Sequence, residues 1–377
     1  MNPSPDVVVV GAGIVGAACA DELSRAGMSV LVIDTGFVGC GATAAGMGHL
    51  VVMDDSPAQL ALTAYSVSLW SELATDLSFS AEYDPCGTLW IAEDEEQLQL
   101  LHAKRAVYAT VHVDAELLSP AQLAAAEPNL RPGLAGALRV PGDSVIYPPN
   151  AALQLMRRAI GNGARLREGI RVDSIGPQCV SAGGDTITCG SVVNAAGAWA
   201  PSLTPSLPIV PRKGHLVITD RYPGFCNHQL VELGYLTSAH TMTTESVAFN
   251  VQPRATGQLL IGSSRELAGW DRGVNSSIVQ RMLERTFHFM PTLAHISAIR
   301  TWTGFRPATS DKLPLIGALS DEAATSSTWI AAGHEGLGIT TSLATAKILA
   351  ALMTGAVPAI DAAPYSPSRL AASVGAH

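Results

Sequence analysis

The sequence predicts an α/β protein built from two intertwined lobes, one of which carries a Rossmann-type dinucleotide-binding unit. The first observation behind this prediction is bulk composition. The chain has 377 residues, of which 47% are hydrophobic and only 15% are charged, which is ample for a large core and more than one small domain. The second is a β-branched run, a glycine fingerprint, a helical pattern and another strand near the N-terminus, in the order of a βαβ unit.

The βαβ unit begins with DVVVV, a run typical of a strand that is buried on both faces of a parallel sheet. Gly11, Gly13 and Gly16 follow in G-x-G-x-x-G order and lead into an apolar helical pattern that ends at Gly27. The first glycine permits the tight turn, the second lets a pyrophosphate approach the backbone, and the third lets the helix pack closely on the strand. The phosphates would lie at the helix N-terminus, where unpaired N–H groups and the positive end of the dipole face them.

Asp34 ends the second strand, SVLVIDT, at the spacing from Gly16 where a carboxylate accepts hydrogen bonds from ribose hydroxyls and repels a 2′-phosphate. NADP is therefore disfavoured, and the unit predicts either NAD or FAD. A strand–turn–helix with incidental glycines is the simpler alternative. The combined spacing of strand, helix, second strand and acid argues against it.

Composition also excludes several classes of function. The net charge is −9 and no run of Lys or Arg occurs, which disfavours nucleic acid or an anionic membrane surface as a partner. The six cysteines are scattered without a CxxC pair, so no zinc or iron–sulfur site is predicted, and free thiols in a reducing cytoplasm fit best. No membrane span is expected, because the C-terminal apolar stretch contains Lys347 and several Thr and Ser.

Three further segments bear on which dinucleotide is bound. GCGATAAGMGHL, residues 39–50, is small and glycine-rich and would let the backbone approach a flat ring system, although a flexible loop has the same composition. VVNAAGAWAPSL, residues 192–203, is a buried strand ending in Ala-Ala-Gly. Residues 325–355 form a strand, a glycine turn and a long amphipathic helix in this interpretation.

Together with WTGFRPATSDKLPLIG at residues 302–317, these segments resemble the FAD-dependent amino acid oxidase family over nearly the whole chain. That family includes glycine, sarcosine and D-amino acid oxidases, and the flavin subunits of multicomponent opine, glycine and hydroxyproline dehydrogenases. The resemblance implies FAD, held noncovalently, because residues 308–317 lack the cysteine that attaches flavin in some relatives. The implied cofactor contacts are Gly11, Gly13, Gly16, Asp34, Thr43, Ala44, Gly46, Met47, Gly48, Ala196, Gly197, Gly333, Gly336, Leu337, Gly338 and Ile339.

The resemblance also implies how the lobes divide the chain. Residues 1–82, 146–210 and 306–377 would form the Rossmann-type FAD-binding lobe, and residues 83–145 and 211–305 an α+β substrate-binding lobe with a mixed sheet. Within the latter, SVAFNVQPRATGQLLIGSSRE predicts a hairpin whose turn is RATGQ. The tail from residue 362 onwards is expected to be loose.

Arg306 is the candidate for binding a substrate carboxylate, because a buried carboxylate requires a cation in fork geometry. The resemblance implies that this arginine, in GFRPAT, clamps the carboxylate beside the flavin; the alternative is that it braces its loop by pairing with Asp311. His49 is the second catalytic candidate. It could tune the protonation of flavin or amine, as could His334 and Glu335 in the C-terminal glycine turn, against the alternative that each histidine is simply packed.

Other side chains are weaker candidates. Arg212, Lys213 and His215 lie where relatives cross between lobes, and a positive charge there could steady the reduced ring. The aromatic residues that could serve either as pocket walls or in core packing are Trp199, Trp302, Tyr147, Tyr235 and Phe249. No metal site is predicted.

The expected reaction is hydride transfer to flavin from the α-carbon of a small amino or imino acid, giving an imine. D-Amino acids, N-substituted glycines and proline-type compounds are the substrate classes considered, with proline-type or opine-type compounds ranked above glycine. Oxygen or a partner electron-transfer subunit would accept the electrons. An NAD-dependent dehydrogenase and a flavin-binding subunit without turnover of its own remain as alternatives.

Overall fold

The computed structural model describes residues 4–233, 245–320 and 327–371. The strands are β1 (Val7–Val10), β2 (Val30–Ile33), β3 (His49–Leu50), β4 (Thr88–Ala92), β5 (Glu116–Leu118), β6 (Gly136–Val140), β7 (Ser144–Val145), β8 (Arg165–Arg167), β9 (Val172–Gly176), β10 (Cys179–Ala182), β11 (Asp185–Thr188), β12 (Ser191–Asn194), β13 (Val210–Thr219), β14 (Gln229–Glu232), β15 (Glu245–Pro253), β16 (Leu259–Glu266), β17 (Ala298–Ala308), β18 (Leu315–Ala318) and β19 (Thr328–Ala332).

The helices alternate with these strands in the N-terminal half and become sparser in the C-terminal half. The α-helices are α1 (Ile14–Arg25), α2 (Ala42–Ala45), α3 (Pro57–Leu73), α4 (Glu95–Ala109), α5 (Pro120–Ala126), α6 (Pro148–Gly161), α7 (Ala200–Leu203), α8 (Ser276–Phe289), α9 (Gly338–Thr354) and α10 (Ser368–Ala371). Short 3₁₀ turns occupy Ala74–Asp76, Phe79–Ala81, Gly197–Trp199, Pro291–His295 and Ala363–Tyr365.

One lobe is a six-stranded sheet in the order β18-β19-β12-β1-β2-β8, parallel except for β18 at the edge. Its central strand, β1, is the tetravaline run and is buried throughout, as expected for a strand covered on both faces. Helices α1, α3, α6 and α9 pack on one face, and a three-stranded meander of β9, β10 and β11 covers the other. The predicted βαβ unit is confirmed as β1, α1 and β2, with the helix ending just before Gly27.

The other lobe is an eight-stranded mixed sheet in the order β17-β13-β16-β15-β14-β4-β6-β5. Its pairs are antiparallel except β14 with β4, which run parallel. The predicted hairpin is confirmed as β15 and β16, whose turn is closed by a hydrogen bond from Arg254 N to Gln258 O at 2.9 Å. Helix α8 covers one face through an apolar core that includes the stacked rings of Phe249 and Phe289.

The chain passes between the two sheets several times, and the exact lobe boundaries given above stay predictions. Arg306 lies on β17, so its strand belongs to the eight-stranded sheet. Within residues 4–233, 245–320 and 327–371, no helix combines the length and the apolar character that crossing a bilayer requires.

The expectation of a loose tail is wrong for residues 362–371. Tyr365 is buried and its hydroxyl donates to Ala58 O at 2.7 Å. Arg369 forms a two-point ion pair with Asp311, at 2.7 and 3.1 Å, and also donates to the carbonyl of Leu313. One aromatic anchor and one bidentate pair therefore order a segment whose Pro, Ser and Ala content is typical of a coil. Residues 372–377 lie outside the described part.

Candidate functional site

The glycine fingerprint forms a surface that has no room for side chains. Gly11 has φ +111°, and a Cβ on it would lie 2.5 Å from Ala195 O. A Cβ on Gly16 would lie 1.9 Å from Gly11 O, so α1 packs directly on the turn. At Gly13, where α1 begins without a side-chain cap, the nearest atom is Thr43 Oγ1, which accepts a hydrogen bond from Ile14 N at 3.0 Å. A helix start without a side-chain cap of its own is a ready anion site.

Asp34 is held beside this turn by the backbone. Its Oδ2 accepts from Ala12 N and its Oδ1 from Gly36 N, each at 2.6 Å. Oδ1 also accepts from Cys40 Sγ at 3.6 Å, whereas Oδ2 has a further lone pair that can receive a ribose hydroxyl. Its position at the end of β2 matches the position predicted from the spacing.

Two of the predicted cofactor segments, residues 39–50 and residues 325–355, are in contact. A Cβ on Gly46 would lie 2.7 Å from Ile339 Cδ1, which places the segment 42–48 against the start of α9. Gly48 has φ +106°, and a Cβ there would lie 1.9 Å from Ile146 O. Thr340 Oγ1 donates to His49 O at 2.8 Å. Residues far apart in sequence therefore form one continuous, glycine-lined cradle.

The remaining predicted contacts lie around the same cradle. Ala196 Cα would be 3.3 Å from a Cβ on Gly11, Gly197 has φ +56° with open space beside it, and Ala44 is exposed on α2. Gly333, with φ +82°, ends β19 and packs on Thr309. A side-chain-free backbone, helix starts at α1 and α9 without side-chain caps, and a carboxylate at the end of β2 suit an extended dinucleotide such as FAD.

A pocket lies next to the cradle; it encloses ≈ 60 Å³ of space for the centres of water molecules, within ≈ 640 Å³ of empty space that includes open solvent at its mouth. The segment 49–59, strands β4, β13, β14, β15 and β16, and the turn before α9 enclose it. Both lobes thus contribute walls, as expected for a ligand that must meet a bound cofactor.

Two arginines and Glu335 line this pocket, and a third arginine, Arg306, lies beside Glu335. Arg212 on β13 and Arg306 on β17 are direct cross-strand partners, and Arg265 lies on the next strand, β16. Glu335 Oε1 lies 3.7 Å from Arg212 Nη1 and 3.6 Å from Arg265 Nε. Its Oε2 accepts from Gly336 N, and its own backbone is left-handed, with φ +48°.

The charge state of Glu335 follows from these neighbours. Burial opposes ionisation, but the guanidiniums of Arg265, Arg306 and Arg212 overcome it and hold the pKa of Glu335 below its ordinary value. The carboxylate is therefore an internal counter-ion at neutral pH.

Arg306 is fixed by backbone rather than by an acid. Its Nη1 donates to Ser264 O at 2.9 Å, and its guanidinium lies against Gly214, where a Cβ would come within 2.3 Å of Nη1. On the other side, a Cβ on Gly336 would be 3.5 Å from Arg306 Nε. Asp311, the alternative partner considered from the sequence, pairs with Arg369 instead. The arginine thus lies between Gly214 on β13 and the C-terminal glycine turn, next to Gly336, which lines the pocket.

The two histidine candidates differ. His49 lines the pocket, and burial lowers its pKa to about 3, so the ring is neutral; its enclosed Nε2 has no hydrogen-bond partner among the described residues. His334 has the same lowered pKa, about 3, from burial, but its Nε2 is bonded to Thr345 Oγ1 at 3.0 Å in the core. His334 is therefore a packed structural residue.

Arg212 lies on a different face of β13 from Lys213 and His215, because successive side chains of a strand alternate between its two faces. Lys213 faces away from the pocket and forms ion pairs with Glu266 and Asp271, at 3.1 and 2.9 Å. His215 is on the same face as Lys213, with Nδ1 3.0 Å from Ser264 Oγ, and both side chains are buried. Only Arg212 of the PRKGH segment lines the pocket.

The candidate aromatic walls lie elsewhere. Trp199 stacks on Trp270 at 4.8 Å, Trp302 Nε1 donates to Ala45 O at 3.4 Å, and Tyr147 lies under the guanidinium of Arg254. Phe249 is in the core and Tyr235 lies outside the described residues. The aromatic ring that does line the pocket is Trp90 on β4.

Sequence reasoning missed several polar residues of the pocket. Arg265, Gln229 and Asn250 lie on strands β16, β14 and β15, and Lys312 lies in the loop between β17 and β18. The signal that was available is a buried charge or amide in a strand that is expected to face a core. No spacing rule indicates that these strands are neighbours in the sheet.

A buried polar cluster lies behind this pocket. Gln229 Nε2 donates to Thr88 Oγ1 at 2.8 Å, and Asp143, which is fully buried, accepts from Val52 N at 3.1 Å. Burial raises the pKa of Asp143 to about 7, although hydrogen bonds from Thr88 and Val52 act in the opposite direction. Lys104 lies near the same cluster and forms an ion pair with Asp54.

No group of three or more His, Cys, Asp or Glu side chains in the described part of the chain is arranged to hold a metal ion. All six cysteines are described and none forms a disulfide.

Comparison with known proteins bears on the identity of the cradle. The family model described as DAO, FAD dependent oxidoreductase, matches residues 6–352. Glycine oxidase from Geobacillus kaustophilus (strain HTA426) is 30% identical over 98% of both chains. Hydrogen cyanide synthase subunit HcnC from Pseudomonas aeruginosa is 27% identical over 98% of this chain and 97% of its own.

Solved structures give the same relationship. A crystal structure of glycine oxidase from G. kaustophilus superposes with a TM-score of 0.85 at 28% identity and covers 97% of this chain and 98% of the other. Iminodiacetate oxidase from Chelativorans sp. BNC1 superposes with a TM-score of 0.81 at 25% identity, covering 96% and 98%.

Proposed function

Since the chain belongs to the DAO family of FAD-dependent oxidoreductases, we propose that it oxidises the C–N bond of a small amino or imino acid and yields an imine. FAD, bound noncovalently in the glycine-lined cradle, supplies the hydride acceptor. The relatives named above include a glycine oxidase and an iminodiacetate oxidase, which supports this class of substrate. The remaining catalytic work is orientation, exclusion of water and electrostatics, which the residues of this chain provide.

The observation that carries this proposal is the position of Arg306. Its guanidinium lies beside Gly336, in the turn before α9 that lines the pocket, and it is held by Ser264 O and by the absence of a side chain at Gly214. A planar fork in a half-buried site binds a carboxylate at two points and fixes the α-carbon beside it. Arg306 would therefore hold the substrate carboxylate while the α-carbon faces the cradle.

The amine end would be received by neutral groups. Gln229 Oε1 and Asn250 Oδ1 are buried at the pocket and accept no hydrogen bond from the described residues. Both are suitable acceptors for an ammonium or imino N–H. His49, with a pKa of about 3, is neutral at physiological pH, so we assign it the orientation of the amine and not the storage of a proton.

Two finer features of the proposal concern the acceptor and the compartment. Electrons would pass to oxygen or to a partner electron-transfer subunit; one relative, HcnC, is itself named as a subunit. The six unpaired cysteines support a reducing cytoplasm as the location.

Anaerobic titration of the purified yellow protein tests the proposal. We expect D-amino acids, sarcosine, proline isomers or iminodiacetate to bleach the oxidised flavin absorbance, and readmitted oxygen or an added dye to restore it. A protein that binds FAD but is bleached by no member of this panel would be a flavin-binding subunit without turnover, and the proposed reaction would be wrong.

A further inference from the structure

The pocket carries more positive charge than one carboxylate requires. Its described lining includes the cations Arg212, Arg265 and Lys312 against the carboxylates of Asp55 and Glu335. Lys312 pairs with Asp55 at 3.5 Å, so these two charges cancel locally. The remaining arginines share Glu335, and Arg306 adds a third guanidinium beside it. This excess of positive charge stands out in a chain whose net charge is −9.

Resting on the function proposed above, we propose that the preferred substrate is an amino or imino acid with a second carboxylate, which Arg212 and Arg265 bind while Arg306 holds the first. This inference goes beyond a general amino acid oxidase, because it assigns two further arginines a role in substrate selection.

The arrangement of the strands gathers three guanidiniums around one carboxylate. They come from three successive strands, β17, β13 and β16, and Arg306 reaches across Gly214 on β13 to Ser264 O on β16. Glu335 is the carboxylate that the described residues place among them, so a substrate with two carboxylates meets more positive charge here than a substrate with one. The next two strands, β15 and β14, present the oxygens of Asn250 and Gln229. The sheet therefore offers cations at one side of the pocket and hydrogen-bond acceptors at the other.

Glu335 does not offer a binding site for an ammonium group. It is surrounded by Arg212, Arg265 and Arg306, so a cation placed beside it would also face three positive charges. Its Oε2 is bound to Gly336 N and its backbone is in the left-handed region, so the side chain is anchored in its turn. Glu335 instead tunes how strongly the guanidiniums attract an anion.

Matched ligands and matched variants test this assignment on the FAD-loaded protein. Unreactive glutarate and butyrate are titrated against the flavin absorbance spectrum, and iminodiacetate and sarcosine are compared in anaerobic flavin reduction. We expect the dicarboxylate of each pair to bind, or to reduce the flavin, at a concentration about tenfold lower or more. Comparison of N-(2-carboxyethyl)glycine with iminodiacetate then tests which distance between the two carboxylates the pocket prefers.

Two variants should change the preference for dicarboxylates over monocarboxylates in opposite directions. Arg265→Gln should weaken the dicarboxylate of each pair more than its monocarboxylate partner and bring the two to within about twofold. Glu335→Gln removes a negative charge that competes with the substrate carboxylates for the arginines, and should increase the preference for the dicarboxylate. Arg281→Gln, an exposed arginine on α8, is the control and should change neither titration. A purely structural role for the cluster predicts that both cluster variants weaken all ligands alike.

The outcomes separate this inference from the proposed function. Equal binding of glutarate and butyrate with equal reduction by iminodiacetate and sarcosine would overturn the inference and leave the proposed function standing. Bleaching by no amino acid would overturn the proposed function. If Arg265→Gln does not retain FAD, the Glu335→Gln variant provides the test. A smaller preference for the dicarboxylate than in the natural protein would overturn the inference, and a larger one would support it.

Discussion

The cradle and the pocket next to it are built in different ways. The cradle is made of backbone: Gly11, Gly16 and Gly48 have close neighbours where a Cβ would be. The pocket is made of side chains, such as Arg265 and Asn250, that project from separate strands of the eight-stranded sheet. A site made of backbone requires particular residues at fixed spacing, whereas a site made of side chains requires only that the sheet brings them together.

The largest effect is expected where the cradle is broken. In Gly16→Ala the new Cβ would lie 1.9 Å from Gly11 O, and neither backbone can move without separating α1 from β1. We expect a loss of about 3 kcal/mol or more in the free energy of unfolding, together with loss of FAD. Thermal unfolding and the visible spectrum measure both.

Gly161→Ala is the matched control for this change. Gly161 ends α6, is exposed, and has no described atom within 4 Å of the position that an alanine methyl group would take. Alanine there should leave stability unchanged or raise it by up to about 1 kcal/mol, because alanine is the better helix former. Equal destabilisation by both variants would contradict the tight-packing explanation.

Breaking the pocket while sparing the cradle should cost activity and not FAD. Arg306→Ala removes the proposed carboxylate clamp, and we expect a loss of about 2–4 kcal/mol of transition-state stabilisation in anaerobic flavin reduction, with the yellow colour retained. Arg300→Ala changes an exposed arginine on the same strand and should have no effect. Undiminished reduction in Arg306→Ala would remove this residue from the role.

The buried cluster behind the pocket should show itself through pH. Because the folded-state pKa of Asp143 is raised to about 7, the folded protein binds this proton more tightly than the unfolded chain does. The stability it contributes is present at low pH and is lost as the pH rises through 7. The free energy of unfolding of Asp143→Asn, relative to that of the natural protein, should therefore rise by roughly 2 kcal/mol between pH 5 and pH 8.

Chemical denaturation at several pH values measures that difference. Asp185→Asn, at an exposed position on β11, controls for the change in net charge. A difference between Asp143→Asn and the natural protein that does not vary with pH would show that Asp143 does not titrate in this range.

The smallest effect is expected at the C-terminal tail. Arg369→Gln removes the two-point pair with Asp311 and a hydrogen bond to Leu313 O. Since Asp311 is about one-third exposed, we expect a loss of only about 1 kcal/mol, measured by thermal unfolding, with flavin reduction unchanged. Arg369→Lys keeps the charge and should restore part of the loss.

The same contrast explains what the sequence could predict. Gly11, Gly13, Gly16 and Asp34 were accessible because they lie in one βαβ unit whose order and spacing are local. Arg306 was accessible through its resemblance to a family motif. The meeting of Arg265 with Glu335 was not, because it depends on the lateral order of strands and on a turn from the other end of the chain. Tyr365 and Arg369 were missed because one anchor each orders a segment of coil-like composition.

The lateral order of the six-stranded sheet has a consequence for biosynthesis. Strand β1 pairs with β12 and β2, β12 in turn pairs with β19, and α9 covers α1, so the lobe is completed only by residues near the end of the chain. At ribosomal rates of about 5–20 residues per second, the newly made N-terminal strand waits roughly a quarter of a minute to a minute for these partners. Completion of the FAD cradle must then follow synthesis of α9, and nascent chains that stop before α9 leave the apolar face of α1 without this cover.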